Sequence, residues 1–262
     1  DVYKRQIDTY TNSIYASLPS SSNCIILPLD GTIPASYSKL SFSGMIQTLS
    51  LYSNTLYTVY TDSAKTVSKV ESRLLTSYPS TTYTFSNINA NTYKDVLYTN
   101  GRFGYADGPI TTARFNLASE EYSGICINPV NSNMYVFDPG NNRIRMITPS
   151  GIVSTIVGKA TAGSTDNAIG TEATIQDITT MVINSTGTTL YFASSNLTFK
   201  KIRSVDLRPG CNYAVTTSTQ TYATPTHGIC IDPTDSFLYY TSRTAGIQSI
   251  YKINVSTWAV ES

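Results

Sequence analysis

Charge is scarce in this chain. Only 13% of its 262 residues are Asp, Glu, Lys or Arg, with 18 basic residues against 17 acidic ones. A net charge near zero gives no overall field to draw nucleic acid or an anionic membrane, so neither is the expected partner. His227 is the only histidine, which argues against zinc chemistry that takes several histidines as ligands. The four cysteines, Cys24, Cys126, Cys211 and Cys230, form no Cys-x-x-Cys pair, so a zinc site is not expected from them either. Long apolar runs are also missing. Stretches such as Cys24 to Leu29 fall well short of the ~20 residues that span a bilayer as a helix. No amphipathic helical stretch of useful length occurs.

What the chain has is Ser and Thr, together roughly a quarter of it, with 20 Tyr and 15 Gly. That mixture suits many short strands joined by turns, because β-branched and aromatic side chains fit a pleated surface. It also fits an extracellular or cell-surface setting. The first six residues, Asp1-Val2-Tyr3-Lys4-Arg5-Gln6, read as an adaptor-like scar rather than native sequence, so a signal region would lie upstream of it. Cys126 and Cys230 both stand in Gly-Ile-Cys-Ile, where a small half-apolar residue is expected as a free buried thiol. Sequons at Asn184, Asn196 and Asn254 are no more than chance supplies in a chain so rich in Asn, Ser and Thr.

Internal repetition organises the rest. Between Gly104 and Gly158 the chain reads Gly-Tyr-Ala-Asp-Gly, Ala-Arg-Phe, Gly-Ile-Cys-Ile-Asn-Pro, Met-Tyr-Val-Phe-Asp, Asn-Arg-Ile-Arg-Met-Ile and Ser-Gly-Ile-Val-Ser-Thr-Ile-Val-Gly. An apolar-Tyr pair marks each second strand, at Tyr15, Tyr57, Tyr135, Tyr191 and Tyr239. The consecutive apolar positions of Gly-Ile-Cys-Ile predict an inner strand covered on both faces. Asn128-Pro129 and Asp232-Pro233 end such strands, since Pro cannot donate to a ladder. Ile144 and Met146 alternate with Arg143 and Arg145, which predicts a half-exposed third strand. Glu71 to Asp95 is polar and irregular and reads as an insertion; a degenerate blade is the alternative.

This pattern resembles the NHL repeat, one blade of a β-propeller of the TolB-like class. The resemblance implies an all-β fold of four-stranded antiparallel blades, five visible here of the six that NHL proteins usually have. The expected units are 7–43 (partial, lacking its inner strand), 44–104 with the insertion 71–95, 105–160, 161–220, and 221–262 (partial). The copies outside 104–158 lack Asn-Arg-Ile-Arg and the Asp-Gly turn.

The resemblance also implies one loop face for binding, carrying Tyr122, Asp138, Asn141, Asn142, Arg143, Asn196, His227 and Arg243. Asp107-Gly108 and Asp138 read as turn residues whose carboxylates bond local backbone. No catalytic set, metal ligand set or cofactor is assigned. The favoured function is a non-catalytic binding or scaffold module for a protein or glycan. The alternatives are a metal-dependent hydrolase or lyase of the six-bladed type, and an RNA-binding NHL domain. Glu120, Glu121, Asp177 and Asn128 do not assemble into a lactonase-type metal site on sequence grounds.

Overall fold

Short apolar segments punctuated by Asn, Asp, Gly and Pro fold here into consecutive antiparallel hairpins. The computed structural model describes residues 104–117, 124–194, 201–218, 228–242 and 249–261 in full, and elsewhere only the backbone of the strands named below. Strands β1 (Lys4–Asp8), β2 (Ser13–Ser17), β3 (Asn23–Pro28) and β4 (Ser38–Ser41) form a first sheet. Strands β5 (Met45–Tyr52), β6 (Thr55–Thr61), β7 (Ser68–Leu75) and β8 (Phe85–Ser86) form a second. After the short β9 (Gly108–Pro109), strands β10 (Ile125–Ile127), β11 (Met134–Asp138), β12 (Arg143–Ile147) and β13 (Ile152–Val157) pair in turn in a third. The fourth is β14 (Ile178–Ile183), β15 (Thr189–Ser194), β16 (Ile202–Asp206) and β17 (Val215–Thr217). The fifth is β18 (Thr226–Ile231), β19 (Phe237–Thr244), β20 (Ile247–Asn254) and β21 (Val260–Glu261). Among the described residues there is no α-helix, only two 3-10 turns.

The chain divides into two compact units, Asp1–Glu120 with Pro149–Ile152, and Glu121–Thr148 with Val153–Ser262. In the first unit β1 lies beside β5. Two expectations change here. The first sheet has a first strand at Lys4–Asp8, where the sequence predicts no inner strand. The third strand of the second sheet runs to Leu75, so Glu71–Leu75 is strand rather than insertion. Lys69, Glu71 and Arg73 alternate with Val70, Ser72 and Leu74 there, and the charged half of the alternation hid it. Residues 76–84 and 87–95 lie outside the described residues.

In the second unit β10 lies against β14, and β14 against β18. Strand β15 shows why this stacking is stable. Leu190 and Phe192 enter one core with Tyr135, Phe137, Ile144, Ile156, Ile178 and Met181. Tyr191 and Ala193, on the opposite side of the same strand, enter a second core with Ile202, Leu238, Tyr240 and Ile253. Alternate side chains of a strand point to opposite faces, so a sheet buried on both sides needs apolar residues at every position. Cys126 is buried, but its repeat partner Cys230 is exposed, contrary to expectation.

Candidate binding face

The turn between β11 and β12 is built from below by a buried ion pair. Asp138 ends β11 and Arg145 lies on β12, both with side chains fully buried, and Arg145 Nη1 donates to Asp138 Oδ2 at 2.9 Å. Asn141 Nδ2 donates to the same oxygen at 2.8 Å. Pro139 starts a 3-10 turn and Asn142 closes it in the left-handed region, at φ 53°, a conformation Asn tolerates better than most residues. Arg143 Nη1 donates to the Asn141 carbonyl at 2.7 Å, and Asn142 Nδ2 to the Ala160 carbonyl at 3.2 Å. Gly158 (φ +92°) makes room for this turn, since a Cβ there would stand 2.2 Å from the Asn142 carbonyl oxygen. Asn141, Asn142 and Arg143 remain half-exposed.

Two sequence expectations are corrected by this geometry. Asp138, expected on the binding face, is fully buried, and its carboxylate accepts from the Arg145 and Asn141 side chains. Arg145, expected to share an exposed face with Arg143, is buried as well. An Arg inside an apolar layer is stable only when paired, and the Asp seven residues earlier was the available signal.

The other candidates fall on different sheets. His227 occupies a β-bulge, because Thr226 pairs with Ser242 and Gly228 with Thr241. The same irregularity recurs at Thr179, between Ile178↔Ser194 and Thr180↔Ala193. A bulge adds one residue to a strand and re-aims the chain. In both sheets it stands where the first strand begins and the second ends, the same strand end as the Asp138–Arg143 turn. Arg243 lies at that end too, paired with Gln248. Next to Thr179, Asp177 adopts φ 53° and accepts from Gln176 Nε2 at 3.1 Å. Ser194 Oγ donates to the Gln176 carbonyl at 3.0 Å. Tyr122 and Asn196 lie outside the described residues.

The opposite strand end is committed to structure. Asn128, Asn184 and Asp232 each follow a first strand and accept backbone N–H groups of their own turn. Asn128 Nδ2 also reaches the Gly187 carbonyl at 2.8 Å, and Ser185 N and Oγ both donate to Asp235. These bonds join successive first turns.

A second polar joint, missed from sequence, ties the 158–177 link to the fourth sheet. Arg203 donates to Asp166 Oδ1 (Nη2, 2.8 Å), the Thr174 carbonyl (2.7 Å) and the Thr165 carbonyl (3.0 Å), and lies over the Phe192 ring at 5.4 Å. Burial pushes its guanidinium below the usual range, and the Asp166 hydrogen bond and charge oppose that. Ala173 and Ile175 are buried alongside. Asp166-Asn167 with Ala173-Thr174-Ile175 is therefore a second copy of Asp107-Gly108 with Ala113-Arg114-Phe115. One extra residue and Asn in place of Gly concealed it.

Burial raises the Tyr135 phenol to about 12 and pushes the Cys126 thiol up, so neither ionises near neutral pH. Among the described residues, no group of three or more His, Cys, Asp or Glu is placed to hold a metal. Among them, too, no helix is long and apolar enough to cross a membrane.

No protein-family model matches the chain, and no curated protein matches it in sequence. Solved structures do resemble it. One is the crystal structure of a nidogen/laminin complex (12% identity, 99% of this chain and 78% of that chain, TM-score 0.58). A second is a Bacteroides uniformis protein provisionally assigned as a 6-phosphogluconolactonase (13% identity, 98% and 69%, TM-score 0.58). A third is the β-propeller domain of Cps50 (Swd1) from Myceliophteria thermophila (7% identity, 99% and 70%, TM-score 0.54). The fold is that of a β-propeller. Its blades are the four-stranded antiparallel sheets described above, and at such identities the likeness extends to fold alone.

Proposed function

We propose that this chain is a non-catalytic binding or scaffold propeller of the NHL type, in a six-bladed arrangement, presenting the loops of one face to a protein or glycan. The observation that carries the reading is the pinned turn. A buried ion pair fixes Asp138 and Arg145, and the polar residues above them, Asn141, Asn142 and Arg143, are half-exposed and held in place by the turn's own hydrogen bonds. Rigid supports beneath polar loops favour recognition, because less side-chain and loop entropy is lost on binding. The bulges at Thr179 and His227 bring further polar residues to the same strand end. A nidogen/laminin complex among the similar folds is compatible with a protein partner; fold by itself does not assign one.

The test uses the purified chain against an oligosaccharide array and a displayed peptide library. Binding that falls at least ~10-fold in Asn142→Ala/Arg143→Ala, with melting temperature unchanged, supports the reading. Binding indifferent to those changes but lost on altering the Ser185–Asp235 end overturns the assigned face. Hydrolysis of a sugar lactone on adding divalent cations would replace the reading with the enzyme alternative. Salt-sensitive retardation of RNA would replace it with the nucleic-acid alternative.

A further inference from the structure

Two of the three sequons can be compared in the structure, and their geometry separates them. Asn184, in Asn184-Ser185-Thr186, is buried at 9% exposure. Its Nδ2 donates to Thr186 Oγ1 (2.8 Å) and Thr188 Oγ1 (3.0 Å), and its Oδ1 accepts from the backbone of Thr188 and Thr189. Both ends of that amide are used inside the turn.

Asn254, in Asn254-Val255-Ser256, stands at the turn from β20 to β21. Its Oδ1 accepts from Ser256 N (3.0 Å), Ser256 Oγ (2.7 Å) and Thr257 N (3.1 Å). The carbonyl end is therefore held by the turn, and Nδ2 is left as the end with no protein acceptor among the described residues. Ser256 and Thr257 are exposed, while Val255 and Trp258 anchor the turn from below by packing on the Tyr191–Leu238–Tyr240 core. The turn joins the two outer strands of its blade, at the strand end opposite Asn141–Arg143. The exposed side of the turn, at Ser256 and Thr257, lies at the strand end away from the proposed binding loops.

We infer that Asn254 is an N-glycan acceptor site of the folded protein and that Asn184 is not. The donor is a lipid-pyrophosphate-linked oligosaccharide. The Asn254 Nδ2–C1 bond forms at the anomeric carbon, and the C1–O bond to the pyrophosphate leaving group breaks. The amide gives up one proton to a base of the transferase. Ser256 serves as the sequon hydroxyl, on the same exposed turn as the acceptor nitrogen.

The test incubates the full folded chain, carrying Asn196→Gln so that only these two sequons remain, with an oligosaccharyltransferase and its lipid-linked donor. Glycopeptide mapping then assigns each site. The expected result is a single added glycan at Asn254, lost in Asn254→Gln and kept in Ser256→Thr, with Asn184 unmodified until the chain is denatured. Asn254 unmodified in the folded chain but modified after denaturation would overturn the inference. So would equal occupancy of Asn184 and Asn254 in the folded chain. Neither outcome bears on what the opposite loop face binds, so the proposed function stands or falls separately.

Discussion

The two blade joints of the second unit solve the same problem with different chemistry. Between the third and fourth blades, the 158–177 link runs alongside and contributes Ala173 and Ile175 to the core. Its Asp166 and its carbonyls receive Arg203, whose register partner on β15 is Phe192. Between the fourth and fifth blades the link is only 218–225. The positions equivalent to Phe192 and Arg203 are Tyr240 and Tyr251, which stack at 4.9 Å with rings 12° from parallel. Without a long link there is no carboxylate to pair a buried guanidinium, and an aromatic stack fills the space instead. The buried hydroxyl of Ser242, at the repeat position of Asp138, has no hydrogen-bond partner among the described residues. One joint is clamped by a buried charged network; the other combines apolar area and aromatic packing with the exposed Ser185–Asp235 hydrogen bonds.

This contrast is open to breaking. The largest effect is expected at the clamped joint. Arg203→Ala removes a nearly buried guanidinium and strands the Thr165 and Thr174 carbonyls, which should cost about 3 kcal/mol or more in urea unfolding. Tyr251→Ala, at the same position in the fifth blade, should cost about 1–2 kcal/mol, because Tyr251 is half-exposed and leaves no charge behind. Equal losses would mean that the two joints do not differ in kind.

A smaller effect belongs to acid. Arg208 holds the Asp206 carboxyl down at about 2, from an ordinary value of 3.8, chiefly through hydrogen bonding. A depressed carboxylate stabilises above its unfolded pKa and loses that contribution as pH falls through its folded one. The Tm of the native chain should therefore fall relative to Asp206→Asn as pH drops from about 4 to about 2. A constant difference would show that the pair contributes nothing. The smallest effect is expected from Ser242→Ala, which removes an unsatisfied hydroxyl and should change stability by no more than ~0.5 kcal/mol. A loss above ~1 kcal/mol would reveal a partner for that hydroxyl and narrow the contrast between the joints.

Much of the blade plan was legible in sequence, because periodicity reports burial directly. Gly-Ile-Cys-Ile marked β10 and β18, the apolar-Tyr pairs marked the second strands, and Asn128-Pro129 marked a turn. Long-range pairing was harder to see. The alternation of Arg143 and Arg145 looked like a solvated face because sequence alone does not show a neighbouring layer. Asp138 looked like a local turn residue because its partner lies across a hairpin. Asp166 and Ala173 escaped notice because a single inserted residue shifts the motif. Of the candidate site residues, Asn141, Asn142 and Arg143 gather on one turn. His227 and Arg243 sit at the same end of the fifth blade, and the bulge at His227 had no signature in composition.

The difference between the joints is most directly tested by native-state hydrogen exchange across the second unit. The amides of β11, β12, β15 and β16 should exchange only through the largest opening, and those of β19 and β20 through a smaller one. Arg203→Ala should abolish the difference. Identical exchange free energies for all three blades, unchanged by Arg203→Ala, would contradict it.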